Sequence, residues 1–204
     1  MKIFIIIILY FSFFCKQGFG NQNLIAEFLD NQIEIDVGFT GKKLSYFGAI
    51  DTQGDLVIIV TGPRKKIKVF KKERKVWFWI NSSSRIFADV PSYYFVATSR
   101  PLNQMKNDSF LKINQIGLEN LRFEGAEEIE EEERLKWRNG IIESMKKMGN
   151  YISKNGKIEV IDGRLFKTEI SFPSDITEGK YIVDTLLLKN NSVIGSKRSF
   201  INVS

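Results

Sequence analysis

Residues 44–102 alternate short runs of β-branched and aromatic residues with turn-forming residues. Leu56 to Val60 is an unbroken apolar run of strand length, which predicts a buried strand. Gly62-Pro63 closes this run, because glycine permits unusual backbone angles and proline cannot continue a hydrogen-bonded ladder. Residues 82–84, all serine, are interpreted as a turn, and Pro91 separates two further apolar runs. This spacing predicts an antiparallel sandwich or barrel rather than β-α-β units.

Further strands are predicted on both sides of this stretch. Residues 33–39 alternate apolar and polar residues, which is typical of a half-buried strand. Residues 157–161 and 164–172, joined by Asp162-Gly163, form a plausible hairpin. A second hairpin is predicted from residues 180–189 and 192–203, and it would close an immunoglobulin-like sandwich. Tyr93 and Tyr94 are candidates for a structural corner tyrosine in such a fold.

The pattern becomes helical after residue 103. A short helix is predicted over about residues 110–121 and a longer one over 127–151. The longer one begins with glutamates and ends in lysines, which complements the helix dipole. We expect its apolar stripe to pack on the sandwich, with a partner-binding helix as the alternative; the stripe consists of Trp137, Ile141, Met145 and Met148. The predicted fold is therefore mainly β: an immunoglobulin-like antiparallel β-sandwich with a helical insertion at about residues 109–151.

Residues 1–20 have the features of a secretory signal peptide. Lys2 supplies the positive charge, residues 3–14 form the apolar segment, and Gly18 and Gly20 are small residues at the positions that signal peptidase reads. We expect cleavage after Gly20, export to the periplasm, and one mature domain over residues 21–204 with its helical insertion at about 105–151. An uncleaved amino-terminal anchor and a lipid anchor at Cys15 are the alternatives.

Composition excludes several kinds of chemistry. The chain has no histidine and one cysteine, so it cannot build a Ser-His-Asp triad or the usual zinc site. No glycine-rich phosphate loop is present. We therefore expect a protein without catalytic activity, metal or cofactor. The alternative is a hydrolase that uses paired carboxylates or the Ser-x-x-Lys pattern of Ser144 and Lys147.

Residues 64–75 carry eight basic residues and one glutamate. Such a segment is suited to anionic lipid head groups or an acidic partner, whereas an exported chain would rarely meet nucleic acid. The alternative is an exposed hairpin whose edge is protected from aggregation by lysine. The candidate contact residues are Arg64, Lys65, Lys66, Lys71, Lys72, Arg74, Trp79 and Tyr94.

Six short motifs follow one another in a fixed order: YFGAID at 46–51, Gly62-Pro63, KKER at 71–74, WIN at 79–81, VPSYY at 90–94 and SRPL at 99–102. This ordered series, which is more specific than any single motif, resembles the Alph_Pro_TM family of alphaproteobacterial proteins described as transmembrane. The resemblance extends through the acidic-to-basic helix and the approach to the last hairpin, so it covers most of the chain after residue 20.

The resemblance implies an exported, β-rich periplasmic domain at the inner membrane, and it brings no catalytic residue with it. An accessory role beside a permease of the sulfite-exporter type is a further implication. Family members usually end in a membrane helix, whereas this sequence has no apolar span after residue 203. Either the anchor was lost, the sequence is a shortened one, or the amino-terminal segment anchors the protein.

Overall fold

The computed structural model describes residues 23–75, 77–105, 108–125, 129–190 and 192–204, with the backbone alone for residues 72–75 and 78–82. The predicted signal peptide lies outside the described residues. Two short 3₁₀ turns occur at Leu102–Gln104 and Leu118–Asn120, and the helices are α1 (Asp108–Ile113) and α2 (Glu131–Lys147). The strands are β1 (Leu24–Phe28), β2 (Gln32–Ile33), β3 (Lys42–Ile50), β4 (Asp55–Thr61), β5 (Arg64–Lys75), β6 (Phe78–Pro91), β7 (Tyr94–Thr98), β8 (Glu124–Gly125), β9 (Gly156–Lys157), β10 (Glu159–Ile161), β11 (Leu165–Phe172), β12 (Gly179–Lys189) and β13 (Ser192–Val203).

Two sheets pack face to face around a first core. Sheet A has the strand order β1-β3-β11-β10, and sheet B has the order β2-β13-β12-β4-β7-β9. Their pairings are antiparallel except where the two-residue strands β2 and β9 join sheet B. Tyr46 of sheet A reaches across the core, and its hydroxyl lies 2.8 Å from Thr185 Oγ1 and 3.3 Å from Ser199 Oγ in sheet B. The core therefore includes a buried polar link between the sheets.

Strand β4 is buried on both of its faces. Leu56, Ile58 and Val60 point into the first core, while Val57 and Ile59 belong to a second core on the opposite side of sheet B. A strand in this position has no wet face, so its sequence is continuously apolar rather than alternating. The prediction of a buried strand at Leu56 to Val60 is confirmed.

A third layer covers the far face of sheet B. It consists of sheet C, with the order β5-β6-β8, together with α1, α2 and the two 3₁₀ turns. Phe87 and Val90 of β6 meet Trp137 and Ile141 of α2 in the second core. The prediction of a mainly β fold with a small helical insertion is confirmed. The immunoglobulin-like assignment and the single-domain division stay predictions.

Both helices are shorter than predicted. After α1 the backbone adopts positive φ at Gln115 (52°) and Gly117 (94°), conformations that a right-handed helix cannot contain. Helix α2 begins after Glu130, which occupies the N-cap position without a side-chain capping hydrogen bond, and the predicted residues Glu127 and Glu128 lie outside the described part. Gly149, with φ of 77°, follows its end. The predicted apolar stripe is correct at Trp137 and Ile141, whereas Met148 is 48% exposed.

The strand predicted over residues 33–39 is wrong. Only Gln32–Ile33 pair with another strand, because the Asp36 side chain accepts a hydrogen bond from the Gly38 amide at 2.9 Å and turns the chain. Strand β1, which precedes this segment, was not predicted. The serines at 82–84 do not form a turn but continue β6.

Both predicted carboxy-terminal hairpins are confirmed. Asp162 and Gly163 have φ of 50° and 65°, which is the conformation of a two-residue turn with both residues left-handed. They connect β10 to β11. Strands β12 and β13 form the second hairpin, with Asn190 at φ 49° beside its turn.

Candidate interaction site

The basic segment forms one strand of a long hairpin. Strand β5 pairs with β6 from Arg64 opposite Pro91 to Lys75 opposite Phe78, and Trp77 lies in the turn. Strand β8 adds a third strand only at Phe87 and Ala88. Beyond that point the described hairpin consists of two strands, and from Phe70 to Lys75 it runs about 17 Å at a rise of about 3.3 Å per residue. The hairpin therefore has a packed base and a two-stranded outer part.

The base is fixed by apolar contacts in the second core. Phe87 and Val90 are each 1% exposed there, and Ile67 and Val69 pack against the same cluster. The Phe87 and Trp137 rings are 6.3 Å apart between centroids. Burial of large apolar side chains of this kind contributes about 1.5–3 kcal/mol each to folding. The fold itself thus sets the position of the base.

Helix α2 also holds the hairpin by polar contacts. Trp137 Nε1 donates a hydrogen bond of 3.1 Å to Glu133 Oε1, and Arg85 of β6 lies 3.7 Å from the same oxygen. The hydrogen bond from Trp137, supported by the charges of Arg85 and Lys71, holds the pKa of the Glu133 carboxyl below its ordinary value. Glu133 is therefore a charged link between the helix and both hairpin strands.

The predicted contact residues of the hairpin differ in their hydrogen bonds and in how far the structure describes their side chains. Arg64 donates to the Asp89 carbonyl oxygen at 3.0 Å and to its carboxylate at 2.9 Å, so its guanidinium is engaged within the hairpin base. Lys65 Nζ donates to Thr177 Oγ1 at 3.0 Å. Lys66 and Lys71 are exposed. Lys72, Arg74 and Trp79 lie in the paired strands, and their side chains are outside the described part.

Tyr94 is a structural residue rather than a surface contact. It is 2% exposed, its hydroxyl donates to the Gln115 carbonyl at 2.7 Å, and it accepts a hydrogen bond from the Gly117 amide at 2.9 Å. Burial raises the pKa of its phenol. Its assignment as a partner contact is therefore corrected, because the ring supports the loop after α1.

Tyr93 also has a structural role, as predicted for one of the two neighbouring tyrosines. Its hydroxyl donates to the Ser171 carbonyl at 2.8 Å, which ties β7 to the end of β11. The bond of a corner tyrosine to a carbonyl a few residues upstream is instead made by Tyr181, which donates to Thr177 O at 2.8 Å.

Sequence reasoning missed the aromatic residue at the turn. Trp77 is 80% exposed, and Phe70 on the adjoining strand is 50% exposed. Lys68 Nζ lies 5.2 Å from the centroid of the Phe70 ring. Pairing residues 64–75 with 78–91 as a hairpin would have placed Trp77 at its turn. The described hairpin thus combines basic residues along β5 with exposed aromatic side chains toward its end.

The serine and the lysine of the hydrolase alternative lie at the protein surface. Ser144 is exposed on α2, Lys147 is exposed as well, and the neighbouring Lys146 pairs with Glu143 at 2.7 Å. An open cleft of about 700 Å³ lies between the ends of β7 and β9, and among its lining residues only Glu119 carries a carboxylate. Within the described ranges, no group of three or more Cys, Asp or Glu side chains could hold a metal ion.

Fold and site together define a three-layer, mainly β protein whose third layer combines a small sheet with helices and carries a basic hairpin with exposed aromatic residues. The family model described as "Putative transmembrane protein (Alph_Pro_TM)" matches residues 23–204, and the chain belongs to this family. A comparison with curated proteins finds no match. None of the helices in the described part of the chain is both long and apolar enough to span a bilayer.

Proposed function

We propose that this protein is an exported, non-enzymatic accessory domain that works at the periplasmic face of the inner membrane. The observation that carries the proposal is the β5–β6 hairpin, with eight basic residues along β5 and Trp77 exposed at its turn. Membership of a family described as transmembrane supports a location beside the bilayer. In this proposal the hairpin is the contact surface, and the two cores serve to position it.

The chemistry of the hairpin is suited to a membrane surface. Each lysine or arginine close to an anionic leaflet contributes about 1 kcal/mol of attraction, and this attraction decays within a Debye length of about 8 Å at physiological salt. Tryptophan is enriched at the membrane interface, because its ring is apolar and its N–H remains hydrogen-bonded. Basic β5 would therefore approach the head groups while Trp77 enters the interface.

The protein partner that we propose is an inner-membrane permease of the sulfite-exporter type. Its support is the implication of the family resemblance, together with a hairpin that can reach a neighbouring membrane protein. The hairpin would then contact lipid and permease at the same membrane surface.

Photocrosslinking tests this proposal in native membranes. A photoreactive phenylalanine analogue replaces Trp77 in the tagged full-length chain, and the products are identified by mass. The matched control carries the same analogue at Phe200, which is 38% exposed on β13. We expect lipid and permease adducts from position 77 only. Adducts no more abundant than those from position 200 would remove the hairpin from the contact surface and refute the proposal.

A further inference from the structure

The outward face of sheet A carries a row of exposed apolar side chains. Ile25, Ala49, Leu165 and Ile161 are directly paired neighbours across β1, β3, β11 and β10. Ile25 is 61% exposed and Leu165 is 54% exposed. Phe47, two residues from Ala49 on the same face of β3, is 44% exposed. Apolar residues clustered in this way on a sheet face indicate an interaction surface.

The charges of this face are arranged with opposite signs about β3. Glu27 of β1 and Lys167 of β11 both pair with Phe47, one on each side. Lys167 also lies 3.4 Å from Glu159, but both side chains are more than half exposed. No hydrogen bond or ion pair of Glu27 occurs among the residues that the structure describes. An acid and a base therefore flank one exposed aromatic ring at equal strand spacings of about 4.8 Å.

From this pattern we infer that sheet A stacks on sheet A of a second copy, in a symmetric dimer. The two sheets lie about 10 Å apart, as in other stacked sheets. The twofold axis runs parallel to β3 in the plane midway between them. Rotation about this axis exchanges the β1 and β11 sides. Glu27 of each copy then faces Lys167 of the other copy, and Ile25 faces Leu165 in the same way. Phe47 and Ala49, which lie beside the axis, each face the same residue of the other copy.

Self-complementarity favours a second copy over a lipid surface. A twofold interface needs a patch that matches itself, and this face does so both in apolar side chains and in charge. An anionic membrane would be repelled by Glu27, Glu159 and Glu169 on the same face, with only Lys43 and Lys167 to oppose them. The mixed charges thus fit a protein surface of the same composition.

Cysteine crosslinking in cells tests the geometry with the full chain. In a Cys15→Ser background, Ala49→Cys places one thiol beside the axis without removing a large side chain. We expect a short bismaleimide to join two copies through position 49. The control Ser196→Cys lies at an exposed position of β13 on the other sheet, where we expect no such product. Equal crosslinking at both positions, or none at position 49, would overturn the inference.

Charge exchange then tests the register. Ultracentrifugation of the full chain in detergent should show a dimer that Phe47→Glu weakens by about 30-fold or more, as for a central aromatic hot spot. Phe200→Glu, a phenylalanine of similar exposure on β13, should have no effect. Glu27→Lys and Lys167→Glu should each weaken the dimer by about tenfold, and the double variant should restore it to within about threefold.

Circular dichroism of the two single variants establishes that they fold, so restoration in the double variant assigns their effect to the interface. Failure of the exchange to restore dimerisation would refute the proposed register. If Phe47→Glu leaves the dimer unchanged in ultracentrifugation, another surface forms the dimer. If position 49 crosslinks only to lipid or to other proteins, a different molecule covers this face of sheet A. Both results overturn the inference.

Discussion

Charge reversal on the hairpin should separate specific membrane contact from the general effect of net charge. The variant changes Lys65, Lys66, Lys71 and Lys72 to glutamate. Lys65 is hydrogen-bonded to Thr177 at the base and Lys71 contributes to the charge around Glu133, so we count the four lysines as about three effective charges. At about 1 kcal/mol for each basic residue near an anionic surface, their loss predicts at least about 100-fold weaker partition, since 1.4 kcal/mol is a factor of ten.

The control variant changes the exposed residues Lys154, Lys157, Lys189 and Lys197 to glutamate. It has the same net charge as the hairpin variant, but its substitutions lie outside β5 and β6. We expect its partition to remain within about tenfold of the parent, because distant charges are screened at physiological salt. Residues 21–204, which contain every described residue of both cores, are suitable for this comparison.

The assay is sedimentation with anionic and with neutral vesicles, after circular dichroism has shown that both variants are folded. Binding of the parent should fall with added salt and should be lost on neutral vesicles. Equal partition of the hairpin variant and the control would show that net charge, not the hairpin, governs binding. That result would refute the reasoning.

Three further predictions concern the fold. Gly48→Ala should destabilise the protein by about 2–3 kcal/mol in urea unfolding, because the new Cβ would overlap the Ile25 carbonyl oxygen and lie 2.5 Å from the Phe166 ring. Gly140→Ala in α2 meets no atom within 4 Å and should stabilise the protein by about 0.5–1 kcal/mol. Tyr46→Phe should cost about 1 kcal/mol, because the buried hydroxyls of Thr185 and Ser199 lose their common partner; a change below the error of the denaturation measurement would contradict this. Burial raises the pKa of Tyr94 and Tyr151, so their stability contribution is complete below pH 10 and is lost as the pH rises above it, when the unfolded chain ionises first. Unfolding free energy should then fall by up to about 1.4 kcal/mol per pH unit for each buried phenol, and Tyr94→Phe with Tyr151→Phe should make the decline shallower; an equally steep decline in that variant would be the contrary result.

Local signals allowed part of the fold to be predicted. The Asp162-Gly163 turn needs only residues that tolerate positive φ, and those residues are adjacent in sequence. The continuous apolar run from Leu56 to Val60 predicted a buried strand, and the structure covers both of its faces. In contrast, the strand predicted over residues 33–39 failed because the side chain of Asp36 turns the backbone, a local bond that competes with strand pairing.

The site could be predicted only in outline. The basic composition of β5 is visible in the sequence, but the engagement of Arg64 by Asp89 depends on the register of the hairpin. Tyrosine is a residue type that is common at interfaces, yet Tyr94 is buried because the loop after α1 covers it. Trp77 and Trp79 are equivalent by periodicity, and only the turn position distinguishes them. Long-range contacts therefore determine which candidate residues are engaged, buried or exposed, and composition alone does not.

The same second core that stabilises the fold also controls the hairpin. Sheet B is apolar on its far face, so a third layer has to cover it. Phe87 and Trp137 of that layer are in contact with each other and also fix the base of the hairpin. In the outer part the charge of Lys71 near Glu133 is the described link to α2, and β5–β6 pairing holds the strands together, whereas an isolated two-stranded hairpin is marginally stable in water. Trp77 gains little burial from the protein itself. A membrane or partner that buries Trp77 would therefore stabilise the outer hairpin, which couples ordering of this segment to binding.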